Sequence, residues 1–391
     1  MQSESCCKTR CNYCHGLSTG NFGATELKRI LSFDGGGIRG IFSLQVAAKV
    51  EHIFREVYGR ADLVLADVID LFAGTSTGAI IATCLAWGYP VAEVEQLYLT
   101  HGRQMFARQR LWHRYRATYR AESLAELFRH YFREDDGSQA ELGSQKLRKL
   151  LLVVMANATT GSPWPVTNNP SAIYNQRERD DCNLRIPLWQ LLRACTAAPF
   201  YFQPEAIRMG DKTMLFVDGG VTPYNNPAML AVLMATLPCY KLQWPTGPEK
   251  LHLISIGTGR HHESYPHTIA RKIYLWRTPG FMIREIMATV GTHQDLMCRI
   301  IGRCLHGAHI DTEIGSLDSP TLLPGAQQKF SYVRYNVALD STVDMGTPMT
   351  PLELQFDNLK SIRRLQEIGR AYAERTVLPD HLTCEPGLPQ G

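Results

Sequence analysis

Apolar positions along the chain fall into two alternating rhythms. Short, largely apolar stretches at residues 29–33, 69–73, 149–158, 214–217 and 251–256 read as short buried strands. Between them, apolar residues recur at helical spacing over 41–54, 77–87, 123–132, 186–198 and 227–237. Another helix is predicted from Pro90, a residue suited to a first turn. Residues 330–337 alternate as an edge strand does, and 358–375 form a closing amphipathic helix. Irregular stretches are expected near 133–146, 159–185 and 306–329. No internal repeat and no composition break divides this succession. Strand and helix in alternation predict one α/β domain of three layers, α/β/α, around a central, mostly parallel sheet. The domain is placed at 27–377, between a polar lead-in at 1–26 and a tail at 378–391.

Composition narrows the class. With 45% hydrophobic and 20% charged residues among 391, the chain has the make-up of a soluble globular protein. The net charge of +4 is too small for a dedicated nucleic-acid binder, so no nucleic-acid partner is expected. No run of about 18 apolar residues is present, and MQSESCCKTRCNYCHG lacks the apolar centre of a secretory signal. Together with scattered cysteines, these features predict a cytoplasmic location. The exception is Cys6, Cys7, Cys11, Cys14 and His15. The C-x-x-C-H spacing is that of haem attachment, which conflicts with the missing export signal. Cys6 or Cys7 with Cys11, Cys14 and His15 has the ligand types of a zinc site, and a cysteine-rich tail without any ligand is the third reading. No metal or cofactor is assigned.

Three glycine-bearing motifs carry the candidate chemistry. SFDGGGIRG, residues 32–40, sets Gly35, Gly37 and Gly40 in a G-x-G-x-x-G pattern after a strand and before a helix. Its amides suit either a pyrophosphate at a helix start or the oxyanion of a tetrahedral acyl intermediate. The dinucleotide reading wants an acid about 20 positions on at the end of the next strand; Asp62 has the distance, but sits in what reads as a turn. Gly74-Thr-Ser76-Thr-Gly78 follows as a nucleophile elbow, exposing a hydroxyl where a helix begins. FVDGG, 216–220, brings Asp218 to the end of an apolar strand before Gly219 and Gly220 turn the chain. For Asp34 a structural turn role is favoured.

DGGGIRG, GTSTG and DGG in this order resemble the patatin-like phospholipases. TAAPFYFQP (196–204), NNP (225–227) and ISIGTG (254–259) extend the likeness over about 28–260. The resemblance implies a patatin-like fold and a serine–aspartate dyad, with Ser76 as nucleophile and Asp218 as proton acceptor. It further implies an oxyanion hole built from Gly35, Gly36 and Gly37, with Arg39 in the loop's basic position. Gly40, Gly74, Gly78, Gly219 and Gly220 are then the motif glycines. The implied activity is hydrolysis of phospholipid esters without metal or cofactor.

Two basic-aromatic stretches bear on partners. Residues 103–120 interleave Arg103, Arg108, Arg110, Arg114, Arg116 and Arg120 with Phe106, Trp112, Tyr115 and Tyr119, and 260–277 repeats the character. Such a mixture suits a membrane interface, single-stranded nucleic acid or an amphipathic face whose rings pack inward. Next to an acyl-hydrolase site, peripheral membrane contact with phospholipid is the favoured expectation. A narrower resemblance, to bacterial patatin-like antiphage effectors, implies activation by a cyclic nucleotide. Homo-oligomerisation is left open, with helix 358–375 facing either the core or a second subunit.

Overall fold

The structure, a computed structural model, describes residues 27–105, 119–260, 278–318, 327–339, 348–350, 353–355 and 357–383. Strands β1 (Lys28–Phe33), β2 (Leu71–Thr75), β3 (Leu150–Asn157), β4 (Ser162–Thr167), β5 (Glu205–Met209), β6 (Lys212–Asp218), β7 (Leu251–Ile256), β8 (Arg303–His306) and β9 (Ser331–Tyr335) join into one sheet. Its order is β5-β6-β3-β2-β1-β7-β9-β8, with β4 also on β3. The β3-β2-β1-β7-β9-β8 portion is parallel throughout. β4, β5 and β6 pair antiparallel at the other side.

Alternation along the strands builds two cores, because successive side chains leave a strand on opposite faces. Leu31, Phe33, Phe72, Leu151, Val153, Met155, Ile254 and Ile256 face the larger one. It is covered by α1 (Gly40–Tyr58), α3 (Thr77–Trp87), α4 (Val91–Met105), α5 (Ala121–Tyr131) and α6 (Leu188–Cys195); the short α2 (Leu65–Val68) leads into β2. Ile30, Leu71, Ala73, Leu152, Val154 and Leu253 face the smaller core, against α7 (Ala228–Thr236) and the C-terminal part of α8 (Thr278–Ile301). The expected three-layer α/β/α arrangement is thus present.

Several sequence expectations are corrected. The strand at 330–337 is not at an edge: β9 is buried along its length between β7 and β8. Its polar members are tolerated because Arg334 is ion-paired inside. The irregular stretch at 159–185 contains β4, a hairpin partner of β3 in which Pro163 and Pro165 obscure the strand pattern. The fold also passes the boundary set at 377. After α9 (Ile362–Thr376), a short α10 (Asp380–Thr383) buries Leu382 completely. The face of the closing helix finds its partner within the chain, since Leu365 and Ala373 are buried and Tyr372 packs on Phe42 of α1 with ring centroids 5.5 Å apart. The cysteine cluster and most of both basic-aromatic stretches lie outside the described residues.

Candidate active site

The glycine turn is fixed from the sheet side. β1 ends at Phe33, and Asp34 N–H donates to Ile256 O at 3.1 Å. The Asp34 carboxylate receives Arg334 Nη1 at 2.9 Å and Nη2 at 2.5 Å, a buried pair whose guanidinium also donates to Ser255 Oγ. Burial raises the Asp34 carboxyl's pKa and the Arg334 charge opposes that shift. Asp34 therefore ties β1 to β9, in keeping with a structural role. Gly35 N–H donates to Asn225 O at 3.0 Å. This corrects the expectation that Gly35 belongs with the oxyanion donors. Arg39 Nη1 donates to Gly259 O at 3.2 Å and its backbone N–H to Gly36 O, bonds that hold the loop's shape. Gly36 and Gly37 remain, at the start of a single 3-10 turn, Gly37–Arg39, where N–H groups have no intrahelical acceptor.

The elbow follows from close packing. Ser76, between β2 and α3, has φ 54° and ψ −126°, a left-handed backbone that costs a non-glycine residue about 1–3 kcal/mol. What holds it there is contact on both flanks. A Cβ at Gly74 would lie 2.2 Å from Gly78 O, and one at Gly78 only 2.3 Å from Phe33 O. The sharp turn thus requires two residues without side chains. Gly40, opening α1, sits against the Thr77 side chain.

Asp218 reaches the same point from the opposite direction. β4 occupies one edge of β3 over Leu152–Asn157, so the other edge is shared. β2 pairs there with Leu150–Val154 and β6 with Met155–Asn157. The two strands meet end to end, Thr75 opposite Val154 and Asp218 opposite Met155. Sequence reasoning put Asp218 at the end of an apolar strand without giving that strand's direction. The structure delivers it on an antiparallel strand running head-on into β2. Ser76 Oγ donates to Asp218 Oδ2 at 2.6 Å, and Gly220 N–H donates to Asp218 Oδ1 at 2.7 Å. Gly219 packs against Val154 O. Burial raises the Asp218 pKa to about 6, against the lowering effect of the bonds from Ser76 and Gly220.

Ser76 and Asp218, 8% and 4% exposed, open on a mainly apolar cavity. Gly36, Gly37, Thr77, Ile80, Met105 and Phe202 are among its lining residues, and no histidine is among the described ones. Its rim carries Phe200, 62% exposed and held at φ 68°. The loop bearing Phe200 is anchored to the dyad, since Asp218 N–H donates to Ala197 O. Sequence reasoning did not reach Tyr98, whose hydroxyl bonds to Thr77 beneath the elbow, and gave no role to Thr258 and Asn225 of the ISIGTG and NNP motifs, which hold Gly35. The dinucleotide alternative weakens at Asp62, an exposed residue paired with Arg60 well before β2 begins.

A hydroxyl on a strained strand-to-helix turn, a carboxylate within hydrogen-bond reach and an adjoining apolar cavity define a site of the serine-hydrolase class. The family model for patatin-like phospholipases matches residues 31–232, and the chain belongs to that family. It is 27% identical over 295 residues to a cGAMP-activated phospholipase of Escherichia coli (strain TW11681), covering 72% of this chain and 77% of the relative. A cGAMP-activated phospholipase of Vibrio cholerae is 29% identical over 290 residues, 68% of this chain and 75% of its own. Patatin-17 of Solanum cardiophyllum is 28% identical over 278 residues, 66% and 67% of the two chains. Among the described residues no helix is long and apolar enough to cross a membrane.

Proposed function

We propose that the chain cleaves acyl esters of membrane phospholipid through Ser76 and Asp218, and that a cyclic dinucleotide switches it on. One observation carries the first half: the 2.6 Å bond from Ser76 Oγ to Asp218 Oδ2 at the elbow, beside the Gly36 and Gly37 amides. As Oγ attacks the acyl carbonyl, its proton passes to Asp218. The oxyanion is received by the Gly36 and Gly37 N–H groups, each such donor being worth ~10²–10³ in rate. Collapse expels the lysophospholipid oxygen, which takes the proton back from Asp218 and leaves an acyl ester on Ser76. Water then attacks that ester, Asp218 accepting its proton, and the fatty acid departs as Ser76 is reprotonated. A base near pKa 6 suits this task better than an ordinary aspartate. Ile80, Met105, Leu124 and Phe202 offer the acyl chain an apolar slot.

The activation half is supported by relatives whose names specify cGAMP or cUMP-AMP. Fatty acid release from mixed bacterial phospholipid vesicles tests both halves. Wild type with a cyclic dinucleotide should release fatty acid, whereas Ser76→Ala and Asp218→Asn should not. Release by Ser76→Ala at the wild-type rate would remove the hydrolase assignment.

A further inference from the structure

A second cavity lies on the other side of the glycine turn, and it is polar where the first is apolar. Its lining includes Arg39, Arg260, Arg299 and Arg334 against Asp34, Glu285 and Asp295. Four guanidinium groups facing three carboxylates leave a formal excess of positive charge. Two arginines are internally matched, Arg334 with Asp34 and Arg299 with Asp295. Arg260 instead donates Nη1 to the backbone oxygen of His309, so its charge faces no carboxylate at ion-pair distance among the described residues. The cavity's volume is about 110 Å³, room for a phosphate group with the rest of a larger ligand lying in the open mouth.

Two further observations mark it as a ligand site rather than a packing fault. Gly291 lies in the interior of α8, where glycine costs about 1 kcal/mol relative to alanine. Among the described residues, a Cβ there would meet nothing within 4 Å. No neighbour demands glycine at this position; its effect is to keep the cavity wall clear. Asn225 also lines the cavity, 6% exposed, and its Oδ1 accepts no hydrogen bond among the described residues.

The wall between the cavities is the glycine turn itself. Gly35 lines the polar cavity, Gly36 and Gly37 line the apolar one, and Met287 of α8 borders both. Gly35 is hydrogen-bonded from the polar side, its N–H to Asn225 O and its carbonyl from Thr258 Oγ1 at 3.1 Å. We infer that this polar cavity binds the phosphodiester of an activating cyclic dinucleotide, and that its occupancy sets the Gly36 and Gly37 amides through Asn225, Thr258 and Gly35. The inference rests on the activation reading above and supplies its site. Arg260 meets the phosphate, whose bidentate geometry suits guanidinium. A base edge donates to Asn225 Oδ1. A ligand that binds better to one position of the turn shifts the population toward it.

Phosphodiesters also occur in lipid headgroups, so the test separates the two sources. Binding is measured by calorimetry on the full chain carrying Ser76→Ala, with cGAMP, cUMP-AMP and glycerophosphoglycerol as probes. One dinucleotide should bind. Arg260→Glu should weaken it at least ~10-fold, the scale of a lost charge-assisted hydrogen bond. Gly291→Trp, filling the open space, should do the same, while Gly291→Ala stays within about twofold. Undiminished dinucleotide binding by both folded variants, or no dinucleotide binding at all, overturns the inference. Binding of glycerophosphoglycerol alone, lost in both variants, assigns the cavity to a headgroup and overturns the regulatory role. Dinucleotide-stimulated fatty acid release that survives both substitutions sinks this site and leaves the hydrolase standing. Variant-sensitive dinucleotide binding, with no fatty acid released by the chain that retains Ser76, does the reverse.

Discussion

Asp218→Asn should stabilise the protein at alkaline pH while abolishing its activity. The asparagine keeps the shape and both local bonds: its Oδ1 can accept from Gly220 N–H and its Nδ2 can donate to Ser76 Oγ. What it removes is a charge in a site only 4% exposed. The carboxyl has a folded value of about 6 against an ordinary 3.8. At 1.36 kcal/mol per pKa unit, holding it ionised in the fold costs about 3 kcal/mol. Since the folded value is the raised one, the folded state binds its proton more tightly. Wild type is therefore free of this penalty below about pH 4, acquires it as pH rises through about 6, and carries it fully at pH 8. The asparagine variant never does. Urea unfolding of both proteins at pH 8 and pH 4.5 should show the variant more stable by about 3 kcal/mol at pH 8, the gap narrowing strongly at pH 4.5. A variant no more stable than wild type at pH 8, or a gap independent of pH, would refute the argument that desolvation tunes this aspartate. The same value predicts that wild-type fatty acid release declines as pH falls through about 6.

Other substitutions probe the supporting frame. Gly78→Ala would place a methyl 2.3 Å from Phe33 O and 2.7 Å from Asp34 O; a loss of about 1–3 kcal/mol by thermal unfolding is expected, together with lost serine reactivity. Arg334→Met strands the Asp34 carboxylate in the interior and should cost about 3–5 kcal/mol, most of it recovered when Asp34→Asn is added; an additive double variant would show that the pair is not coupled. Phe200→Gly relieves a left-handed backbone worth about 1 kcal/mol. It should melt no lower than wild type, yet lose more activity on phospholipid vesicles than on a soluble short-chain ester. Equal losses on both substrates would mean that the exposed ring serves the chemistry rather than the lipid surface.

The parallel half of the fold was legible because its strands are short, largely apolar stretches buried on both faces, as in 30–33 and 251–256. The elbow was legible for a related reason: Gly74 and Gly78 are demanded by backbone contacts that the motif spacing encodes. The antiparallel side was not. Pro163 and Pro165 mask β4, and the direction of β6 is set by its pairing with β3, a long-range fact with no local signature. The β5–β6 hairpin did leave a signal in Gly210-Asp211, a two-residue turn with Gly210 at φ 63°. An arginine inside the apolar run SYVRY was a further sign that a buried acid had to meet it. Which of the loop amides were already engaged was beyond sequence reasoning, since Asn225 lies far along the chain. Long-range pairing decided what spacing could not.

The central claim is that Ser76 is a nucleophile made reactive by its turn and by Asp218. Incubation with a fluorophosphonate, followed by intact mass and peptide mapping, reads this directly. One adduct per chain, located on Ser76 and much slower to form in Asp218→Asn, is the result expected. Protein that releases fatty acid yet carries its adduct on another residue, or that labels equally fast without the carboxylate, would contradict it.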